Sequence, residues 1–283
     1  MNQTEHNART FSFEFFPPKS ELGLEKLLDT ARQLSDLGPE FFSVTFGAGG
    51  STRDRTFETA IQVGKTTNVP VAPHISCISA SASGIREMLD RYRNHGINRL
   101  VALRGDMPSG TVDPGEFHYA SELIAFIRQE TGSDFHLEVA CYPEYHPQAP
   151  SPLADLDNFQ RKVEAGADSA ITQYFYNGDA YLRFVDECQR RGIDLPIVPG
   201  IMPIMNFTQL ARFSDACGAE IPRWIRKRLE SYGDDLDAIR SFGSEVVTRL
   251  CERLLEEGAP GLHFYTLNQA GPTLEIWQNL RLS

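Results

Sequence analysis

Glu14 stands in the run Phe11-Ser12-Phe13-Glu14-Phe15-Phe16-Pro17-Pro18, one carboxylate among four phenylalanines. Burial disfavours the charged form of a carboxyl and raises its pKa. A glutamate shielded from water therefore keeps its proton near neutral pH and can act as a general acid. The run alternates like a strand and stops at two prolines. The same alternation also fits a surface strand, with Ser12, Glu14 and Phe16 on a solvent face and Phe11, Phe13 and Phe15 on the other.

Other residues with chemical potential follow short apolar runs. They are Thr45 with Gly47-Ala48-Gly49-Gly50, then His74, then Arg104-Gly105-Asp106. Further on come Tyr142-Pro143-Glu144-Tyr145-His146-Pro147, Thr172-Gln173-Tyr174, Pro199-Gly200-Ile201-Met202-Pro203 and Tyr265-Thr266-Leu267-Asn268. A glycine-rich turn can aim backbone N–H groups at an anion. Each feature also has a plainer role. A lone histidine is commonly bonded to a neighbouring carbonyl, Arg104 and Asp106 can pair at a turn, and Arg161-Lys162 can be a solvated helix face. His74, Glu144 and His146 show no H-E-x-x-H or comparable spacing, so no metal site is expected.

The elements that must position these residues repeat along the chain. Candidate strands are Phe11–Phe16, Phe41–Thr45, Val71–Ile75, Arg99–Leu103, His136–Ala140, Ser169–Thr172, Ile197–Pro199 and Gly261–Tyr265. They are short and apolar, as strands buried on both faces are. Amphipathic stretches lie between them: Leu22–Leu37, Arg53–Thr67, Ala82–Asn94, Tyr119–Glu130, Leu153–Ala165, Ala180–Arg191, Phe207–Cys217, Leu236–Glu257 and Thr273–Leu280. Gly38-Pro39, His95-Gly96, Ala165-Gly166 and Arg191-Gly192 punctuate helix ends. Eight strand–helix units predict an α/β fold of the (β/α)8 TIM-barrel type, with an extra helix at Pro222–Tyr232 before the eighth strand. An open doubly wound sheet is the alternative, but no G-x-G-x-x-G turn follows the first strand. In a barrel, the polar residues above all fall at the C-terminal strand ends, where such folds place their active sites.

The bulk numbers exclude some classes. The 283 residues suit one barrel domain, and 41% apolar content is enough for a full core. A net charge of −11 argues against nucleic acid as a partner and requires a local basic cluster around any anionic ligand. Five scattered cysteines without a C-x-x-C pair fit reduced cytoplasmic thiols. Residues 1–10 are polar and read as a frayed arm, and no apolar run is long enough for a membrane span.

Taken in order, FSFEFFPPK, FFSVTFGAGG with RDRT, APHISCI, NRLVALRGDMP, FHYASELI, CYPEYHP, DLDNFQRKVEAGADSAITQYFY, IVPGIMPIMNF and LHFYTLN resemble methylenetetrahydrofolate reductases of the bacterial, single-domain type. The resemblance runs from about Phe11 to Asn268. It implies a barrel that binds FAD without a Rossmann motif and passes hydride from NAD(P)H through the flavin to methylenetetrahydrofolate. The product, 5-methyltetrahydrofolate, serves methionine synthesis. It further implies a homo-oligomer, with NADH favoured over NADPH, and lacking the regulatory domain that longer relatives append.

By the same resemblance Glu14 is the general acid, and Asp106 is a catalytic carboxylate beside flavin and pterin. Thr45 belongs to the nicotinamide site. The FAD contacts are Phe46, Ala48, His74, Arg104, Gly105, Asp106, Tyr119, Ala120, His146, Asp155, Asn158, Arg161 and Lys162. The substrate contacts are Asp106, Gln173, Phe213 and Gln269. Several relatives carry arginine at the position of Gln269, so the hold on the substrate tail is expected to differ here.

Overall fold

Side chains in the first strand alternate between two environments. Phe13 and Phe15 point outward into a buried layer, and Phe13 stacks on Phe264 with ring centroids 5.6 Å apart. Ser12 is buried on the opposite, inner side. This two-faced burial is what a parallel strand under a helical layer requires.

The computed structural model describes residues 9–46, 50–105 and 115–282. Among them, nine parallel strands carry the fold: β1 (Thr10–Phe15), β2 (Phe41–Val44), β3 (Val71–Ser76), β4 (Arg99–Leu103), β5 (His136–Cys141), β6 (Ser169–Thr172), β7 (Ile197–Val198), β8 (Gly200–Ile201) and β9 (Gly261–Tyr265). Their spatial order is β7-β6-β5-β4-β3-β2-β1-β9-β8. β7 pairs with β6 and β8 pairs with β9, and only Pro199 separates β7 from β8. They are two halves of one stave, interrupted where proline has no N–H to give. The Pro199 carbonyl accepts the N–H of His263 at 3.0 Å, so the chain itself closes the ring. The fold is the expected TIM barrel.

Helices α1 (Glu21–Ser35), α2 (Gly50–Thr67), α3 (Ala82–Asn94), α4 (Ala120–Thr131), α5 (Pro152–Glu164) and α6 (Gly178–Arg190) connect successive strands. Three helices, α7 (Phe207–Cys217), α8 (Arg223–Tyr232) and α9 (Leu236–Glu256), lie between β8 and β9, and α10 (Ala270–Asn279) follows β9. Serine or asparagine side chains cap α1, α3, α5, α6 and α7 by accepting a backbone N–H of the first turn.

Inside the ring, Phe41, Ala72, Val101 and Ile171 form a small apolar plug. Below it, Glu138 pairs with Arg99 at 2.9 Å and accepts from Ser169, and Arg99 also pairs with Glu40. The Arg99 guanidinium lies 4.5 Å from the Phe41 ring centre. The bottom of the barrel is therefore sealed by a satisfied ionic cluster, which leaves the top as the open end.

Candidate active site

Glu14 lies near the top of β1 and faces inward. Nε2 of His74, from β3, is 3.1 Å from its Oε2, and Nε2 of His263, from β9, is 3.5 Å away. Neither imidazole nitrogen makes an aligned hydrogen bond among the described residues. Behind His263, its Nδ1 contacts Ser12 Oγ at 2.7 Å. Ser43 Oγ donates to Glu14 at 3.4 Å. The backbone of Glu14 is held as well: its carbonyl accepts from Thr266 Oγ1 at 2.6 Å. Just beyond it, the amide of Asn268 clasps both polar groups of the Phe16 backbone at 2.8 and 3.0 Å.

This environment corrects the expected ionisation of Glu14. The neighbouring phenylalanines Phe13 and Phe15 occupy the outer face of the pleat, so they do not surround the carboxylate. Burial does push its pKa up. The charge of His74, with the contacts of both imidazoles, outweighs burial and holds the group at about 2 instead of 4.5. Glu14 is a carboxylate between two imidazoles. It is not an isolated neutral acid, and neither is it the solvated surface glutamate of the alternative reading.

Above this cluster opens a cavity of about 470 Å³ lined by Glu14, His74, Gln173 and Phe213, with Leu103, Tyr142, Tyr174, Met202 and Tyr265 among its walls. Tyr265 reaches across the mouth and donates to the Thr172 carbonyl at 2.7 Å. A second space, about 540 Å³, runs between the tops of β4 and β5 and the helices α4 and α5. Arg104, Gly105, Tyr119, Ala120, His146, Asp155, Asn158, Arg161 and Lys162 line it. The two spaces share Leu103, Ala140, Tyr142, His146 and Gln148, so they form one continuous groove.

The groove has two chemical halves. The central half is largely apolar around Glu14. The outer half collects Arg104, which follows β4, and Arg161 and Lys162 from the last turn of α5, cations suited to phosphate. Lys162 donates to the Ala140 carbonyl, and its burial pushes its pKa down. Asp155 accepts the His146 N–H at 2.9 Å, and burial pushes its carboxyl up. Gly105 has φ +85°, and a Cβ there would approach Ile78 Cγ2 to 3.0 Å and the Ser76 side chain more closely still. Only glycine fits at this position, against Ser76 and Ile78.

The remaining expected positions are placed as follows. Thr45 and Phe46 follow β2 and are half-buried. Thr45 donates its N–H to the Phe15 carbonyl at 2.9 Å, and neither residue lines the groove. Gln269 is exposed at the N-cap of α10 and lines a separate cavity of about 280 Å³, so the structure does not bring it to the central cavity. Ala48 and Asp106 lie outside the described residues. His263 was not singled out from the sequence. The available signal was its inward parity with Tyr265, between the buried Leu262 and Phe264.

A family model described as methylenetetrahydrofolate reductase matches residues 1–281. The chain belongs to the methylenetetrahydrofolate reductase family. It is 41% identical over 269 residues to the 5,10-methylenetetrahydrofolate reductase of Escherichia coli K12, covering 95% of this chain and 90% of that one. An Arabidopsis thaliana relative named methylenetetrahydrofolate reductase (NADH) 1 is 39% identical over 99% of this chain, which spans 49% of that protein. A Clostridium thermocellum protein described as binding two copies of 5-methyl-5,6,7,8-tetrahydrofolic acid shares the fold, with TM-score 0.68 at 18% identity over 98% of this chain and 94% of its own. As a member of the methylenetetrahydrofolate reductase family, the protein is an oxidoreductase. No helix among its described residues is long and apolar enough to cross a membrane.

Proposed function

We propose that the protein reduces 5,10-methylenetetrahydrofolate to 5-methyltetrahydrofolate with NADH as donor and FAD as bound cofactor, supplying methyl groups for methionine synthesis. When bound, the flavin supplies the hydride relay that lets donor and folate react in turn, in a ping-pong cycle. The observation that carries this reading is the inward Glu14–His74–His263 cluster at the floor of a groove whose far end is lined by cations.

The outer half of the groove fits a dinucleotide cofactor. Arg104, Arg161 and Lys162 supply positive charge to a diphosphate in a protein of net charge −11. Two imidazole nitrogens in the central half, without an aligned hydrogen bond among the described residues, are polar atoms that a polar ring system there would satisfy. Asp106, Gln173 and Phe213 are assigned to the pterin and its linker, and Thr45 to the nicotinamide.

Opening the five-membered ring of the substrate requires a proton at the amine nitrogen that departs. Glu14 is the group assigned to deliver it. In the free protein the imidazoles of His74 and His263 hold this carboxyl well below its ordinary range. Ligand entry displaces water and makes the carboxylate charge costlier, which raises the affinity of Glu14 for a proton. Ser12 fixes the ring of His263 behind it.

The test is anaerobic and optical. The purified protein is expected to be yellow, to bleach with NADH and to regain its colour with methylenetetrahydrofolate. A flavin that bleaches but is not reoxidised by the folate would sink the assignment. The donor preference rests on the relative named for NADH. Cytoplasmic residence accords with five free thiols, and a homo-oligomer is the assembly expected of the family.

A further inference from the structure

Glu144 lines neither half of the groove, yet it joins two segments that do. It sits in the loop from β5 to α5. Its Oε2 accepts the backbone N–H of Glu220 at 2.8 Å, across 76 positions of sequence. Glu220 lies in the connection between α7 and α8. The other oxygen of Glu144, Oε1, is buried with no hydrogen-bond partner among the described residues. A second contact joins the same two segments. Gly218 caps the end of α7 with φ +77°, and a Cβ there would lie 3.3 Å from Pro147 Cδ. The joint is closely packed: Tyr142, Tyr174, Cys217 and Gly218 leave a space of only about 10 Å³ beside Glu144.

Both segments carry walls of the central cavity. Tyr142, His146 and Pro147 enter from the first, and Phe213 and Cys217 from α7. Between Glu144 and His146, Tyr145 takes φ +69°, a left-handed conformation that a bulky residue seldom adopts. This turn aims Glu144 at the exit of α7 while His146 meets the groove. One turn before that exit, Ser214 Oγ lies 3.1 Å from Tyr174 Oη, so the body of α7 is held separately. Burial pushes the Glu144 carboxyl up, against the pull of the Glu220 N–H. What this position supplies is an accepting oxygen more than a charge.

We propose that Glu144 is a positioning residue for folate binding: it ties the exit of α7 to the β5–α5 loop and so fixes the wall that carries Phe213 against the wall that carries Tyr142 and His146. The inference rests on the reductase reading above. Without this bond α7 keeps its Tyr174–Ser214 contact, but its C-terminal end is released and the cavity loosens on that side. Arg104, Arg161 and Lys162 stand on other elements, so the cation-lined half is left as it is.

Steady-state kinetics and hydrogen exchange, read by mass spectrometry, test the proposal on the wild-type, Glu144→Ala and Glu144→Gln holoenzymes. Glu144→Ala is expected to speed exchange in residues 218–222 and to raise KM for methylenetetrahydrofolate about tenfold, the scale of one charge-assisted hydrogen bond. The change falls on KM rather than kcat, and flavin content stays at the wild-type level. Glu144→Gln keeps an accepting oxygen and is expected to return both exchange and KM to within about threefold of wild type. An unchanged KM in Glu144→Ala would overturn the positioning role and leave the reductase reading intact. So would a Glu144→Gln variant no better than Glu144→Ala, or a loss of flavin from Glu144→Ala. A wild-type protein that does not turn over the folate would overturn the reductase reading, and the positioning role with it.

Discussion

Nε2 of His74 lies 3.1 Å from Oε2 of Glu14, reaching from β3 across β2 to β1. The approach is close but unaligned, and the nitrogen of His263 that faces the same oxygen is equally without a hydrogen bond among the described residues. Leaving a buried polar atom unpaired costs about 1–3 kcal/mol. The two imidazoles are therefore poised to gain a partner when a polar ligand fills the cavity.

Replacing Glu14 by glutamine keeps the shape of the side chain and removes its capacity to carry a proton. Flavin reduction by NADH is expected to stay near normal. The folate half-reaction is expected to fall by about 10²–10⁴, the range general acids supply. Stopped-flow absorbance under anaerobic conditions resolves the two steps. Equal losses in both would contradict the assignment of Glu14 as the acid.

Acid stability follows from the same cluster. The pKa of Glu14 is depressed from 4.5 to about 2. A depressed carboxyl adds stability that is fully present above its unfolded pKa and is lost as pH falls through its folded one. Wild-type protein is thus expected to lose up to about 3 kcal/mol from this group between roughly pH 4.5 and 2. Glu138 works in the same direction: burial opposes its ionisation, but His136, Ser169 and Arg99 outweigh it. In urea titrations across this window, the gap between wild type and Glu14→Gln should narrow as pH falls. A gap that stays constant from pH 6 to 2 would show that the imidazoles do not hold the charge.

The cationic half of the groove is tested by cofactor retention. Arg161 is exposed and holds Asn158 at 2.8 Å, so Arg161→Ala removes charge with little cost to the core. Flavin is expected to bind about tenfold more weakly, as loss of one phosphate contact of about 1.4 kcal/mol implies. Fluorescence of released flavin after dilution measures it. Full retention would place the diphosphate elsewhere.

Gly200 begins β8 where the seventh stave resumes. A Cβ there would lie 2.6 Å from Tyr265 Cε2 and nearer still to the Thr172 carbonyl oxygen. Gly200→Ala is expected to destabilise the fold by about 1–3 kcal/mol, the usual cost of overpacking. It should also disturb the Tyr265–Thr172 bond across the cavity mouth. A melting temperature within 1–2 °C of wild type, read against the ~2–4 °C per kcal/mol expected at this size, would contradict that tight approach.

Much of this fold is legible along the chain. Ala82–Asn94 and Phe207–Cys217 are helices with the bounds their periodicity predicts, and Arg99–Leu103, Ser169–Thr172 and Gly261–Tyr265 are strands with theirs. The seventh stave was less so. Ile197–Pro199 reads as one strand, but Pro199 splits it and the pairing resumes at Gly200, because a residue without an N–H interrupts the ladder. The groove residues Arg104, His146, Asp155, Asn158, Arg161 and Lys162 were marked by the family motifs.

The sequence by itself determined the alternation of strand and helix, the shared face of Ser12 and Glu14, and membership of the family, because these depend on local period and on motif order. The charge state of Glu14 was decided only by tertiary structure. Residues adjacent in a strand point to opposite faces, so the phenylalanines beside it leave, and the imidazoles of His74 and His263, 60 and 249 positions away in the chain, arrive. Pairing of distant strands, and not neighbourhood along the chain, sets the field that a buried acid feels.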